Sequence, residues 1–276
     1  MWAATKDPYV LTVQPDDFFP NPRREDENFG SMICFHRRYD LGDEHEFKTS
    51  DDLIHYLFIR SSGEANISQK EYLYERLMDC LENEAEGVLP SAAQIKASND
   101  YLMSEIQKGF VVLPVYLYDH SILSMSTGSF VGKAPHAEWD SGQVGIIFVS
   151  HEKIKEEYEV DSIDPVLRLQ VEERLKGEVA EYDAYLRGEC YCFELYEDGE
   201  LVHSCGGFTG SFDKAVKDMI EYLPDDCAGM VDDLSETTDS PSMVQTLLQH
   251  ARIQVDQAAR DHEHHPRQKS LDPVLS

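Results

Sequence analysis

Basic residues are scarce in this chain of 276 residues: 24 Lys and Arg stand against 53 Asp and Glu, a formal net charge of −29. Direct binding of nucleic acid is therefore disfavoured, because repulsion opposes the phosphate term that dominates such binding. An anionic membrane surface is disfavoured for the same reason. Long apolar runs are missing as well. Phe110–Tyr118 and Val144–Val149 are the longest, and both fall short of the ~18 residues of a membrane helix. The opening residues, MWAATKDPYV, have neither a basic n-region nor a continuous apolar h-region, so no secretory signal is expected. Without an export signal, the six cysteines point to reduced thiols rather than a disulfide scaffold. What remains is a globular composition, 41% hydrophobic and 28% charged, with enough apolar material for a core.

The acidity fits either a basic partner or plain solubility. Density decides how far it can be pressed. A folded chain of this mass exposes about 12,000 Å², or roughly one net charge per 400 Å². Duplex DNA carries one charge per ~1.7 Å of axis, about one per 100 Å² of its surface. The average surface is too dilute to imitate DNA, so mimicry requires carboxylates gathered on one face.

Periodicity and caps predict an α+β fold (mixed α/β being the variant), with one globular domain over 1–224 built of a mixed sheet and packed helices. Strands are predicted at Tyr9–Val13, 31–36, Phe110–Tyr118 and Val144–Val149, with Pro114 marking an edge or bulge. Thr49, Ser50 or Asp51 caps a helix carrying Leu53, Leu57 and Phe58. Ser68 and Glu71 form a capping box opening a helix to about Glu86, and a third helix covers 91–107. Residues 119–142 read as a loop of functional length. Ser150 caps a short helix, and Pro165 opens a longer one reaching about Leu186. Cys190–Cys205 reads as a hairpin about a type I′ turn at Asp198-Gly199, and a helix follows from Ser211 to Leu223. Residues 225–240 hold six acids and no bases, the signature of a linker. Residues 241–276 are expected to be a C-terminal helix and a disordered tail.

Four groups of residues are candidates for chemistry. On the helix opened by Ser68, Glu71, Glu75, Asp79, Glu82 and Glu86 fall within a wedge of roughly 80°, about 6 Å apart along the axis. That is the clustering a partner-binding face needs, although any amphipathic helix of an acidic protein looks similar. In the hairpin, a two-residue turn sets Cys192 against Cys205 and Glu194 against His203, with Cys190 on the Cys192 face. Cys190, Cys192, His203 and Cys205 are then weak candidates for a zinc site or a disulfide, against the simpler reading of apolar packing. In the 119–142 loop, His120 would act as a general base, Asp119 or Asp140 would orient it, and Ser141 would be a nucleophile or substrate contact, with His136 nearby. Loop Asp and Ser residues also serve as plain caps and turns. His262, Glu263, His264 and His265 could hold a metal weakly. No cofactor is expected.

The segments NFGSMICFHRRYDLGDEH (28–45), LPVYLYDHSILSMST (113–127), WDSGQVGIIFVS (139–150), EVAEYDAYLRGECY (178–191) and SCGGF (204–208) carry a further signal. Over roughly 28–208 the chain resembles an acidic protein family of phages and mobile elements marked by YLYDHS and WDSGQVG. The resemblance carries no catalytic assignment. It implies a mobile-element setting in the cytoplasm of a bacterial host. Before Trp139, HAE stands where that pattern has a Cys-Pro pair, which removes a thiolate from this loop. The function expected is anti-defence: an acidic, DNA-mimic-like inhibitor that blocks a host nucleic-acid-binding complex such as a restriction, CRISPR or other nuclease. Its partner would be a basic protein, with homo-oligomerisation left open. The alternative is a small intracellular enzyme, a hydrolase or nucleotide-modifying activity, working from the 119–142 loop. Acidity serving solubility alone is the third.

Overall fold

Caps and alternating apolar residues organise the described part of the chain, residues 1–24, 27–62, 66–82 and 91–238 of a computed structural model. In chain order come β1 (Trp2–Lys6), β2 (Tyr9–Pro15), β3 (Ser31–Cys34), α1 (Ser50–Arg60), α2 (Ile67–Glu82) and α3 (Ala92–Ile106). Next are β4 (Phe110–Asp119), β5 (Leu123–Ser126), α4 (Ala137–Asp140), β6 (Ser141–Ser150), α5 (His151–Glu157) and α6 (Pro165–Arg187). The last are β7 (Cys190–Glu197), β8 (Glu200–Thr209), α7 (Phe212–Met219), a 3-10 helix (Ala228–Asp233) and β9 (Ser235–Glu236). Helices and antiparallel sheets together make the fold α+β. The chain divides into two compact units, a central one, Pro20–Gly188, and a terminal one, Met1–Phe19 with Glu189 onward.

The central unit is an antiparallel sheet in the order β3-β6-β4-β5, covered by helices on both faces. That arrangement explains the unbroken apolar run of β4, because a strand buried on both sides has no polar face to show. Val111, Val115 and Leu117 pack towards Val171, Leu175, Val179 and Tyr182 of α6. Phe110 and Val112 point the other way, onto Leu53, Leu57 and Phe58 of α1 and Ile106 of α3. Each such side chain contributes about 1.5–3 kcal/mol by leaving water. Pro114 fits because β5 pairs with β4 only over Tyr116–Asp119, so the strand has an open edge there, and a bulge follows at Val115/Tyr116.

Local signals set the helix ends. Thr49 and Asp52 form a reciprocal capping box on α1, and Ser91 and Gln94 form another on α3. Asp164 caps α6 ahead of Pro165, and Gly188 ends it in the left-handed conformation at φ 69°. The expected box at Ser68 is corrected: α2 already begins at Ile67, so Ser68 sits inside its first turn. The 119–142 loop is also corrected, since it contains β5 and α4, and β6 begins within it at Ser141.

Segment 20–43 is tied to α6 by one buried cation. Arg23, whose side chain is 1% exposed, donates from Nε to Asp43 Oδ1 at 2.7 Å and from Nη2 to Asp43 Oδ2 at 3.0 Å. Nη1 donates to Asn28 Oδ1 and to Glu178 Oε2, both at 2.9 Å, and Nη2 also donates to the Gly30 carbonyl at 2.8 Å. All five guanidinium N–H groups are thereby used. The two carboxylates raise the Arg23 pKa against the opposing effect of burial, the largest single influence.

The terminal unit is an antiparallel sheet in the order β8-β7-β2-β1-β9. Leu11, Val13, Phe193, Leu195 and Phe208 pack on Ala215, Val216 and Met219 of α7. The hairpin turn is type I′ as expected, with positive φ at both Asp198 (51°) and Gly199 (89°). Residues 225–238 are not a linker. Cys227, Met230 and Val231 are buried in this core, and β9 pairs with β1 at Trp2↔Glu236. Cys227 and Met230 share one side of a 3-10 turn through their i, i+3 spacing, while Asp225, Asp226, Asp232 and Asp233 stay exposed. The expected C-terminal helix and tail, 241–276, lie outside the described residues.

Candidate functional site

The register of the central sheet builds the first site. β4 and β6 are antiparallel with Tyr118 opposite Ser141, so the residues just past Tyr118 lie beside those just before Ser141. His120 and Asp140 meet there, Nδ1 to Oδ2 at 2.8 Å. Of the two carboxylates that could orient the imidazole, the fold selects Asp140. Asp119 turns to the 36–39 segment instead, where Arg38 pairs with it and the Tyr39 hydroxyl donates a long bond at 3.4 Å. Ser141 is not aligned as a nucleophile, because its hydroxyl donates to the Ala137 carbonyl at 2.6 Å and fastens α4 to β6.

Aromatic rings extend this site into a column. Tyr118 stacks on Phe130 (5.5 Å between centroids) and on His120 (5.8 Å), and His120 stacks on His136 (5.9 Å). The Tyr118 hydroxyl donates to the Pro135 carbonyl at 2.9 Å, pinning the segment that carries His136. His136 has the left-handed backbone, φ 56°, which His tolerates better than bulkier residues. Trp139, 88% exposed, stands next to Asp140. With Nδ1 donating to a carboxylate, the imidazole is held in the tautomer whose Nε2 lone pair is the base. This pair can accept a proton; a nucleophile would have to come from the substrate or water. Sequence reasoning found His120, Asp140 and His136 but missed Phe130, Arg38 and Tyr39, although HRRYD (36–40) lies within the resembling segments.

The acidic face of α2 is the second site. Glu71, Glu75 and Asp79 are all exposed, and none of the three forms an ion pair or hydrogen bond among the described residues. Lys70, the one lysine of this helix, is turned inward, 7% exposed, to Glu105 at 2.9 Å and the Phe58 ring at 4.2 Å. Glu82 ends α2 with its side chain outside the described residues, as is all of Glu86.

The hairpin cysteines do not assemble as expected. Irregularities in β7–β8 pairing shift the register twice, so Cys205 faces Phe193, His203 faces Leu195 and Cys190 faces Thr209. Cys192 is thereby removed from Cys205. His203 packs on Phe193 at 5.5 Å and its Nε2 meets the Tyr222 carbonyl at 2.9 Å, while Cys190 is buried. No disulfide joins the described cysteines, and no group of three metal-ligating side chains converges among the described residues. Burial and then Asp16 push the Cys192 thiol up, and burial carries Cys34 to about 12. Raised thiols are poor nucleophiles and poor ligands. His262, Glu263, His264 and His265 lie outside the described residues.

No family model, curated protein or solved structure matches the chain. No helix among the described residues is long and apolar enough to cross a membrane.

Proposed function

We propose that this chain acts by binding, as an acidic, DNA-mimic-like inhibitor carried by a mobile element that blocks a host nucleic-acid-binding defence complex in the bacterial cytoplasm. The observation that carries the reading is the face of Glu71, Glu75 and Asp79, exposed and without cation partners among the described residues, in a chain of net charge −29. Carboxylates about 6 Å apart match phosphate spacing along a strand. They would meet the Lys and Arg residues of a basic partner, speed its association and occupy the place of its substrate. The test is affinity capture from nuclease-treated host lysate with elution by a salt gradient, using wild type and a Glu71→Lys/Glu75→Lys/Asp79→Lys variant. A captured nuclease that wild type inhibits, releasing steeply with salt and ignored by the folded variant, is the expected result. Equal capture and inhibition by the variant refutes this face as the binding surface.

The 2.8 Å His120–Asp140 contact favours a second reading, a small hydrolase or nucleotide-modifying enzyme. It requires that His120→Ala and Asp140→Asn abolish the biological effect without weakening any partner complex. Full effect in both variants ends it.

A further inference from the structure

One cavity reverses the charge balance of the whole chain. It has a volume of about 660 Å³ in the central unit, where the end of α1, the start of β4 and the β6–α5 junction meet. Arg60, Lys108 and Lys155 line it against a single carboxylate, Glu152, with Tyr56, Phe110 and His151 completing the wall. Across the chain, bases are outnumbered by acids about two to one, 24 against 53. Among the described residues neither Arg60 nor Lys155 has an acidic partner, while Lys108 shares its ammonium with Glu105. The floor is built by a close approach: a Cβ on Gly109 would stand 2.5 Å from the Ser61 carbonyl oxygen, and the His151 amide donates to the Gly109 carbonyl at 2.8 Å. His151 Nε2 is buried without a hydrogen-bond partner.

We propose that this cavity binds a small phosphomonoester of mononucleotide size, its phosphate held by Arg60 and Lys155 and its organic part against Tyr56. The volume lies within the range of small-molecule sites, and a guanidinium matches phosphate geometry. Two opposing effects are smaller. The C-terminal end of α1 contributes about half a negative charge, less than either cation. The field of the remaining acidic surface is screened beyond about 8 Å at physiological salt, whereas the lining cations are in contact range. Burial first, then Arg168 and Lys155, lower the His151 pKa, so two cations already act on this imidazole. This site is independent of the acidic face of α2.

Calorimetric titration of the full chain at physiological salt tests the assignment, with AMP and inorganic phosphate as probes and adenosine as the uncharged control. AMP should bind, phosphate should compete with it, and adenosine should not bind. Arg60→Gln and Lys155→Gln should each weaken AMP binding about tenfold or more, the loss of one charge-assisted contact. Arg60→Lys should retain part of the affinity, and Lys214→Gln, in the terminal unit, should change nothing. Thermal unfolding of each variant establishes that it is folded. AMP binding should also move the His151 imidazole resonances, a readout that needs no mutation. The proposal is overturned if neither AMP nor phosphate binds at millimolar concentration. Equal binding of adenosine, or unchanged affinity in both Gln variants, overturns it too.

Discussion

Replacing Glu178 by Gln probes the ion network that fastens residues 20–43 to α6. The Glu178 carboxylate accepts from Arg23 Nη1 at 2.9 Å, from the Phe29 amide at 3.0 Å and from the Gly30 amide at 3.1 Å. A Gln side chain has the same shape, but one of its ends is a donor. Whichever way the amide turns, an NH₂ group faces either the guanidinium or the two backbone amides. Losing a charge-assisted hydrogen bond costs about 1.5–3 kcal/mol, and stranding a buried donor costs about 1–3 more. Asp43 continues to hold Arg23, so the lower part of that range applies, about 3 kcal/mol, in keeping with broken buried ion pairs. For a unit of this size that lowers Tm by roughly 6–12 °C. Thermal unfolding by circular dichroism reads the shift, and hydrogen exchange places it. Amides 29 and 30 should lose protection, because Phe29 and Gly30 donate to Glu178, whereas Met32, which donates to Asp43 at 2.9 Å, should keep its own. Peptides of the terminal unit should be unchanged. A shift below about 2 °C with unaltered exchange at 29 and 30 would refute the reasoning.

Arg23→Ala should cost more than Glu178→Gln, about 3–5 kcal/mol in urea unfolding, because it leaves two carboxylates without their cation. Glu105 is held below the usual carboxylate range by Lys108 and then Lys70, with burial opposing. A depressed carboxylate stabilises the fold above its unfolded pKa of about 4.3, and that contribution is lost as pH falls through the lower folded value. The acid limb of a stability–pH curve should therefore be shallower in Glu105→Gln than in wild type. Gly109→Ala should destabilise the central unit by roughly 1–3 kcal/mol, since the new methyl meets backbone rather than a movable side chain. ¹⁵N NMR of His120 should show the Nδ1-protonated tautomer, shifting towards Nε2–H in Asp140→Ala; an unchanged tautomer would remove Asp140 from its orienting role.

Local chemistry was legible where it acts within a few residues. A cap among Thr49, Ser50 and Asp51, the Pro165 start of α6 and the Asp198-Gly199 turn act through their own backbone geometry, so these element ends could be read one by one; the reciprocal boxes of Thr49 with Asp52 and Ser91 with Gln94 came from the structure. The apolar run of β4 announced a buried strand, its burial on both faces coming from the structure, and the charge balance announced an acidic chain. Other features were hidden because their signal was swamped. Cys227, Met230 and Val231 pack into a core from a stretch dominated by exposed aspartates. Ser68 looked like a cap because capping boxes are defined by spacing alone, and Ile67 had already begun the helix.

Contacts across the fold had no local signature at all. That Asp140 rather than Asp119 orients His120 follows from the β4–β6 register. The parting of Cys192 from Cys205 follows from two irregularities that no two-residue turn rule contains. Arg23 meets a carboxylate 155 residues away, and Arg60, Lys108 and Lys155 converge only because the end of α1, the start of β4 and the β6–α5 junction meet. Composition and spacing determine which faces are apolar and which are charged, since those depend on side-chain chemistry and period. Which charges become neighbours depends on strand register and on where element ends meet, and only the folded chain decides that.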